Sequence, residues 1–326
     1  MSEHLLEVSH LKKYFKTPRG LLHAVDDVSF TIDRGRTLGV VGESGCGKST
    51  TGRSILRLIE PTSGSVKLDG VEITALSKKE LRAKRRDMQL IFQDPFSSLD
   101  PRQTVEQAIS EPMLFNKIVS SRAEAKERTL ELMKTVGLAE RLLGSYPHEL
   151  DGGRRQRIGI ARALAMNPKF IVCDEPVSAL DVSIQAQILN LLEELQDKLG
   201  LTYMFITHDL AVVNHFADDI AVMYLGQLIE KAPAEELFAN PLHPYTKALL
   251  SAIPVPDIHN RKKRIIMQGE ITSPIDPKPG CRFAPRCEHC TEECTGSNIP
   301  LHEVSPGHFL ACPYAERLFK KDQTAE

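Results

Sequence analysis

The chain of 326 residues is 41% hydrophobic and 26% charged, enough apolar material for one large globular domain with a small appendage. Its 41 Lys+Arg and 43 Asp+Glu leave a formal net charge of -2, which excludes a general long-range attraction for nucleic acid or anionic lipid. No apolar stretch approaches the ~20 residues that cross a bilayer, and the start Met1-Ser2-Glu3-His4 has neither the basic nor the apolar region of a secretion signal. The chain is expected in the cytosol, with any membrane role supplied by a partner.

In chain order, strand signals cover residues 5–8, 28–32 and 37–41, the last leading directly into the glycine-rich segment Gly42-Glu43-Ser44-Gly45-Cys46-Gly47-Lys48-Ser49-Thr50. Residues 65–68 and 71–73 flank Asp69-Gly70, a dipeptide suited to a tight hairpin turn, and residues 88–92 read as a buried strand. From 104 to 146 the pattern is helical. There Ser121-Arg122-Ala123-Glu124 predicts a capping box ahead of a run that places Leu130, Leu132 and Met133 on one side. Residues 170–173 form a short apolar run ending in acid, 182–199 an amphipathic helix closed by Gly200, and 202–207 a further strand. Such alternation predicts an α/β fold with a mostly parallel sheet.

Nine of the 20 prolines follow residue 250, at 254, 256, 274, 277, 279, 285, 300, 306 and 313. Five of the seven cysteines also lie there, so the last ~75 residues read as a separate, loop-rich module. Cys46 and Cys173 stand apart from that crowd, and in a reducing compartment crowded thiols read as metal ligands before disulfides.

The segment from Gly42 to Thr50 follows a strand, precedes a helical run and has the complete P-loop pattern. Gly42, Gly45 and Gly47 let backbone N–H groups approach phosphate oxygens without a Cβ clash. Lys48 is suited to neutralise the β- and γ-phosphates of a nucleotide, and the Ser49 hydroxyl to ligate Mg²⁺. Asp174 ends the run 170–173, where a strand-end carboxylate can hold Mg²⁺ through water, and Glu175 follows as the group that polarises an attacking water. His208 after the strand 202–207 can hydrogen-bond the γ-phosphate, and Gln93 after the strand 88–92 can sense the γ-phosphate and Mg²⁺. A second glycine segment, Leu150-Asp151-Gly152-Gly153-Arg154, has no use for the same P-loop and points to completion of a site in another subunit.

With these segments and Ser178-Ala179-Leu180-Asp181 in order, the chain resembles the nucleotide-binding subunits of ABC transporters over residues 5 to about 250. The resemblance implies an ABC-type P-loop NTPase domain at 1–250, with a helical subdomain at about 94–168, and a small Cys-rich extension at 251–326. It assigns the six segments as Walker A, Q-loop, signature, Walker B with its catalytic glutamate, D-loop and switch histidine. Phe15, ahead of its neighbour Tyr14, matches the aromatic that stacks on adenine. His243-Pro244-Tyr245-Thr246 and the terminal cysteines narrow the resemblance to the ATPases of oligopeptide/dipeptide importers, in particular the F-type subunit. The implied partners are a second, non-identical ATPase subunit, two transmembrane permeases and an extracellular binding protein, with the chain peripheral on the cytoplasmic face of the membrane. The implied cofactors are ATP, Mg²⁺ and a [4Fe–4S] cluster on Cys281, Cys287, Cys294 and Cys312. Cys290 creates a Cys-x2-Cys spacing with Cys287 that suits zinc instead, and His289 and His308 stand nearby as bystanders.

The family's signature usually reads Leu-Ser-Gly-Gly-Gln; here Asp151 stands for the serine and Arg154 for the glutamine. Asp is a good helix N-cap, yet its carboxylate is an acceptor facing a phosphate acceptor. Two unequal ATP sites and a heterodimer are the expected consequence. The reading is thus ATP-driven import of peptides. Import of nickel, a metal chelate or another small solute is an alternative, and a soluble ABC ATPase outside transport is a further one.

Overall fold

The computed structural model describes residues 4–94, 98–253, 264–267, 269 and 272–323; Pro254 and Pro256 lie outside them. The strands are β1 (His4–Thr17), β2 (Gly20–Asp33), β3 (Thr37–Val41), β4 (Ser63–Leu68), β5 (Val71–Glu72), β6 (Met88–Ile91), β7 (Phe170–Asp174), β8 (Thr202–Ile206), β9 (Asp219–Tyr224), β10 (Gln227–Pro233), β11 (His302–Ser305) and β12 (His308–Leu310). The helices are α1 (Lys48–Ile55), α2 (Lys78–Lys84), α3 (Val105–Phe115), α4 (Arg122–Thr135), α5 (Gly152–Leu164), α6 (Val182–Leu199), α7 (Leu210–Phe216), α8 (Ala234–Ala239), α9 (Pro244–Ser251) and α10 (Pro313–Gln323).

Two compact units share these elements, one comprising Met1–Ile32, Thr37–Ala75 and Thr207–Glu326, the other Asp33–Arg36 and Leu76–Ile206. The first unit contains a sheet in the order β2-β1-β4-β5. Leu6 opposite Leu68 and Val8 opposite Val66 set the β1–β4 register and bury one apolar face. Asp69 (φ 54) and Gly70 (φ 75) join β4 to β5, the two left-handed residues that a tight hairpin needs. In the same unit β3 runs parallel to β9, β9 pairs antiparallel with β10, and β12 and β11 continue outward from β10. The C-terminal segment therefore shares a sheet with the strand that delivers the P-loop.

The join between β12 and β10 is polar at its centre. Glu230 is fully buried, and its Oε1 lies 2.8 Å from His308 Nε2 and accepts the Leu242 N–H at 2.7 Å; its Oε2 accepts the His243 N–H at 3.0 Å. His243 caps α9 by accepting the Tyr245 N–H on Nδ1 at 3.1 Å. A buried carboxylate with three partners on two segments ties the tail to the sheet, because losing any partner would leave polar atoms stranded from water.

The second unit holds the parallel strands β6, β7 and β8, with Ile91 opposite Cys173 and Asp174 opposite Ile206. Helix α6 buries the stripe Ile188, Leu191, Leu192 and Leu195 and ends on Gly200 at φ 66, as the amphipathic pattern and closing glycine predict. In α4 the buried stripe is Ala125, Thr129 and Met133, at i, i+4 spacing; Leu130 and Leu132 are only half-buried, which corrects the expected face. Ser121 does cap α4, accepting the Glu124 N–H at 3.2 Å, but Glu124 returns its carboxylate to Ser120 rather than to Ser121. Helix α2 carries little apolar periodicity, since only Leu81 is buried; its signal is the Ser77–Glu80 capping box.

Burial pushes His243 down to about 4, against the raising influence of the Glu230 charge. A base whose folded pKa lies below its unfolded value of about 6.5 stays neutral in the fold while the unfolded chain takes up the proton. Stability is therefore lost as pH falls from about 6.5 towards 4, by up to about 3 kcal/mol. His243→Asn keeps a capping acceptor but does not titrate, so urea unfolding at pH 7.5 and pH 5 should show a smaller pH loss for the variant than for the parent chain.

Candidate functional site

The P-loop geometry starts with β3, whose five residues are all buried and which releases the chain at Gly42. Gly42, Gly45 and Gly47 have φ of +148, +79 and +107. A Cβ at Gly42 would stand 2.2 Å from the Met223 carbonyl oxygen, and one at Gly47 would stand 2.1 Å from that of Ala24, so both positions exclude any side chain. At Gly45 nothing lies within 4 Å, and only the backbone conformation favours glycine. The loop is anchored from behind by the Gly226 N–H, which donates to the Cys46 carbonyl at 2.7 Å.

Lys48 is 4% exposed, and its Nζ donates to the carbonyls of Gly42 at 2.7 Å and Glu43 at 3.0 Å. Helix α1 begins at this lysine with Gly47 as its N-cap and no side-chain capping bond, so its first N–H groups are directed at the loop. The glycine-rich loop, a helix start without a side-chain cap and a buried ammonium form a cradle that fits a polyphosphate. Ser49, half-buried in the first turn, has the hydroxyl for a Mg²⁺ bound to it. Thr51 Oγ1 donates to the Gly47 carbonyl at 3.0 Å, and burial raises the Cys46 thiol above its usual range.

Two contacts on this loop carry no local sequence signal. Arg286 Nη1 donates to both carboxylate oxygens of Glu43, at 3.3 and 3.1 Å, and the Tyr245 hydroxyl accepts the Glu43 N–H at 2.9 Å. Further along the unit, Asp26 accepts from Arg282 and from the Tyr14 hydroxyl and lies 3.1 Å from His23 Nδ1. Burial alone would raise the Asp26 carboxyl, but these hydrogen bonds and the Arg282 charge outweigh it and hold it below the usual range. Tyr14 stacks on His23 at 3.9 Å between ring centres, and its strand neighbour Phe15 is half-buried under Lys13 Nζ, 4.8 Å from the ring. The side chain of Tyr14 is thus committed to Asp26 and His23. His208 is exposed after Thr207, whose N–H donates to Val40, and before Asp209, which caps α7 by accepting the Ala211 N–H at 2.8 Å.

In the second unit Asp174 closes β7 at 1% exposure. Glu175 follows in the left-handed region at φ 48, fixed by its N–H to the Ile206 carbonyl at 2.9 Å. Its Oε2 accepts from Gln93 Nε2 at 2.9 Å, a contact between residues 82 positions apart. Asp151 caps α5, its Oδ1 accepting the Arg154 N–H at 2.8 Å, while Arg154 Nη1 lies 3.3 Å from Oδ2. Both side chains are about half exposed, so this ion pair contributes only about 0–1 kcal/mol. Leu150 is buried, and a Cβ on Gly153 would meet Ile184 Cγ2 at 2.7 Å, which packs the glycine segment against the start of α6.

The cysteines of the tail form no disulfide. Cys294 and Cys312 are buried, Cys281 and Cys287 half-buried and Cys290 exposed. Burial, followed by the neighbouring Cys312 and Cys294, pushes Cys281 up to about 12. Among the described residues no group of three or more His, Cys, Asp or Glu side chains is arranged to hold a metal ion. The expected [4Fe–4S] cluster on Cys281, Cys287, Cys294 and Cys312 is therefore not supported, nor is the zinc alternative with Cys290. His289 stacks on Tyr314 at 4.4 Å and His308 binds Glu230, so both are engaged elsewhere.

The chain belongs to the ABC transporter family, whose pattern it matches over residues 25–178, and it matches the C-terminal region of oligopeptide/dipeptide transporters over residues 229–294. It is 52% identical over 317 residues to an oligopeptide transport ATP-binding protein of Bacillus subtilis (strain 168), covering 97% of this chain and 98% of that relative. Among solved structures, an ATP-binding cassette seen as a dimer in a post-hydrolysis state with ADP and Pi is 32% identical, with a TM-score of 0.65 over 70% of this chain and 98% of that one. A subunit of the cbiONQ ABC transporter complex from Clostridium perfringens is 30% identical, with a TM-score of 0.65 over 73% of this chain and 92% of that one. The fold is that of an ABC-type P-loop ATPase with mixed α/β sheets, a class that hydrolyses ATP with Mg²⁺. Among the described residues no helix is long and apolar enough to cross a membrane.

The glycine contacts make a direct comparison possible. Gly47→Ala should lower the unfolding free energy by about 2–4 kcal/mol and Gly45→Ala by about 1–2 kcal/mol, because only the first meets backbone. Equal losses in urea denaturation would contradict the packing argument.

Proposed function

We propose that this chain is the ATP-hydrolysing subunit that energises uptake of di- and oligopeptides through an ABC transporter. The observation that carries the reading is the near full-length likeness to an oligopeptide transport ATP-binding protein, joined to the C-terminal match. In this reading the chain sits on the cytoplasmic face of the membrane beneath two transmembrane permeases, and an extracellular binding protein delivers the peptide. Residues 1–250 form the nucleotide-binding domain with its helical insert at about 94–168, and residues 251–326 the Cys-rich extension. The cofactors are ATP and Mg²⁺; the iron–sulfur cluster and zinc are not carried into the reading.

Phe15 stacks on adenine, and the loop from Gly42 through Glu43, Ser44, Gly45, Cys46 and Gly47 to Thr50 wraps the phosphates. Lys48 neutralises charge that develops between the β- and γ-phosphates, and Ser49, Gln93 and Asp174 serve Mg²⁺. Glu175 polarises the attacking water, its carboxylate already oriented by the Gln93 amide, and His208 supports the γ-phosphate. Leu150, Asp151, Gly152, Gly153 and Arg154 face the ATP held by a second, non-identical ATPase subunit. Asp151 presents a carboxylate to that phosphate, so the site using this chain's Lys48 and Glu175 turns over faster than the site using its Asp151.

Glu175→Gln in the assembled transporter should abolish turnover, by at least about a hundredfold, while leaving ATP binding in place. Asp151→Ser should raise or preserve turnover. Both are read as phosphate release in vesicles; equal losses on mutating the catalytic glutamate of either ATPase subunit would contradict the asymmetry.

A further inference from the structure

Glu43 is the second residue of the P-loop, and all three of its polar groups are held. Its carboxylate is paired with Arg286, its N–H with the Tyr245 hydroxyl, and its carbonyl receives Lys48 Nζ. The first two grips come from 243 and 202 residues away, Arg286 from the C-terminal tail and Tyr245 from α9 just before it. Arg286 is 8% exposed at its side chain and also donates to Tyr224 at 3.3 Å, while Tyr224 packs edge-on against Tyr245 and Phe283 at 4.8 and 5.4 Å. An arginine so enclosed is costly without its carboxylate partner, so the Glu43 pairing is directional rather than incidental. Four residues earlier Arg282, 6% exposed, reaches Asp26 and the Leu225 carbonyl. Through Asp26 it holds Tyr14, next to the aromatic Phe15.

We propose that the C-terminal tail is a positioning element for nucleotide binding. Arg286 and Tyr245 fix Glu43, whose carbonyl sets the place of the Lys48 ammonium, and Arg282 fixes the strand that carries Phe15. The proposal rests on the ATP reading of the P-loop and adds that this loop is completed by the chain's own tail. Neither Arg286 nor Tyr245 touches nucleotide in this scheme; both are positioning residues acting through residue 43.

The test is MgATP binding to the full-length chain by calorimetry, with circular dichroism confirming the fold of each variant. Arg286→Met should weaken binding about tenfold, Arg286→Lys should recover to within about threefold of the parent, and Tyr245→Phe should cost about threefold. Glu43→Gln combined with Arg286→Met should be no worse than Arg286→Met alone, since both remove the same pair. Arg286→Met that binds MgATP like the parent, or a Lys variant as weak as the Met variant, would overturn the positioning role. Should Arg286→Met not fold, Tyr245→Phe carries the test, and parent-like affinity there would overturn the proposal. Lys48→Ala separates the two levels. Lost binding with parent-like Arg286→Met refutes the tail's role alone, whereas intact binding in Lys48→Ala refutes the ATP reading itself.

Discussion

The nucleotide site depends on a buried ammonium held by backbone. Lys48 sits at 4% exposure with its charge on the carbonyls of Gly42 and Glu43. A charge is tolerated there only because the loop turns its dipoles inward, and the loop can do so only through glycines whose Cβ atoms would strike the Met223 and Ala24 carbonyls. Strand β3 brings the chain to that point, Gly226 anchors the loop from behind, and the tail holds it at Glu43. The loop is thus set by several distant segments at once, and none of them is the P-loop sequence itself.

The second glycine segment obeys a different logic. Asp151 satisfies the Arg154 N–H in the first turn of α5 and draws the Arg154 side chain back onto itself, which makes a sound helix start. A serine would cap that helix as well while offering a hydroxyl donor to a phosphate. The substitution therefore keeps local stability and changes the group that the helix start presents.

Much of this was legible in the sequence wherever the signal is local. The helix at 182–199 and its closing Gly200 coincide with α6, and the Asp69-Gly70 turn and the acid-ended strand β7 follow from residue type and spacing. Gln93 and Glu175 are each singled out by their places after strands, but the hydrogen bond between them is a finding of the structure. The grip of Arg286 on Glu43 and of Arg282 on Asp26 was not legible, because it spans 243 and 256 residues and no periodicity marks a single arginine that pairs across such a distance. The extent of β1 and β2, 14 residues each, also exceeds the short apolar runs that announce them, since Lys12, Lys13 and Lys16 interrupt the alternation although the ladder to β4 continues as far as Lys12. The tail's cysteines differ: their spacing suggests ligands, but among the described residues no group of three or more is arranged to hold a metal ion.

The central claim is that the P-loop and the tail segment bearing Arg282 and Arg286 respond to nucleotide together. Hydrogen–deuterium exchange of the full-length chain, with and without MgATP, measures this directly. The account predicts slower exchange on MgATP binding both at residues 42–50 and at residues 281–287. Protection confined to residues 42–50, with 281–287 unchanged, would contradict it.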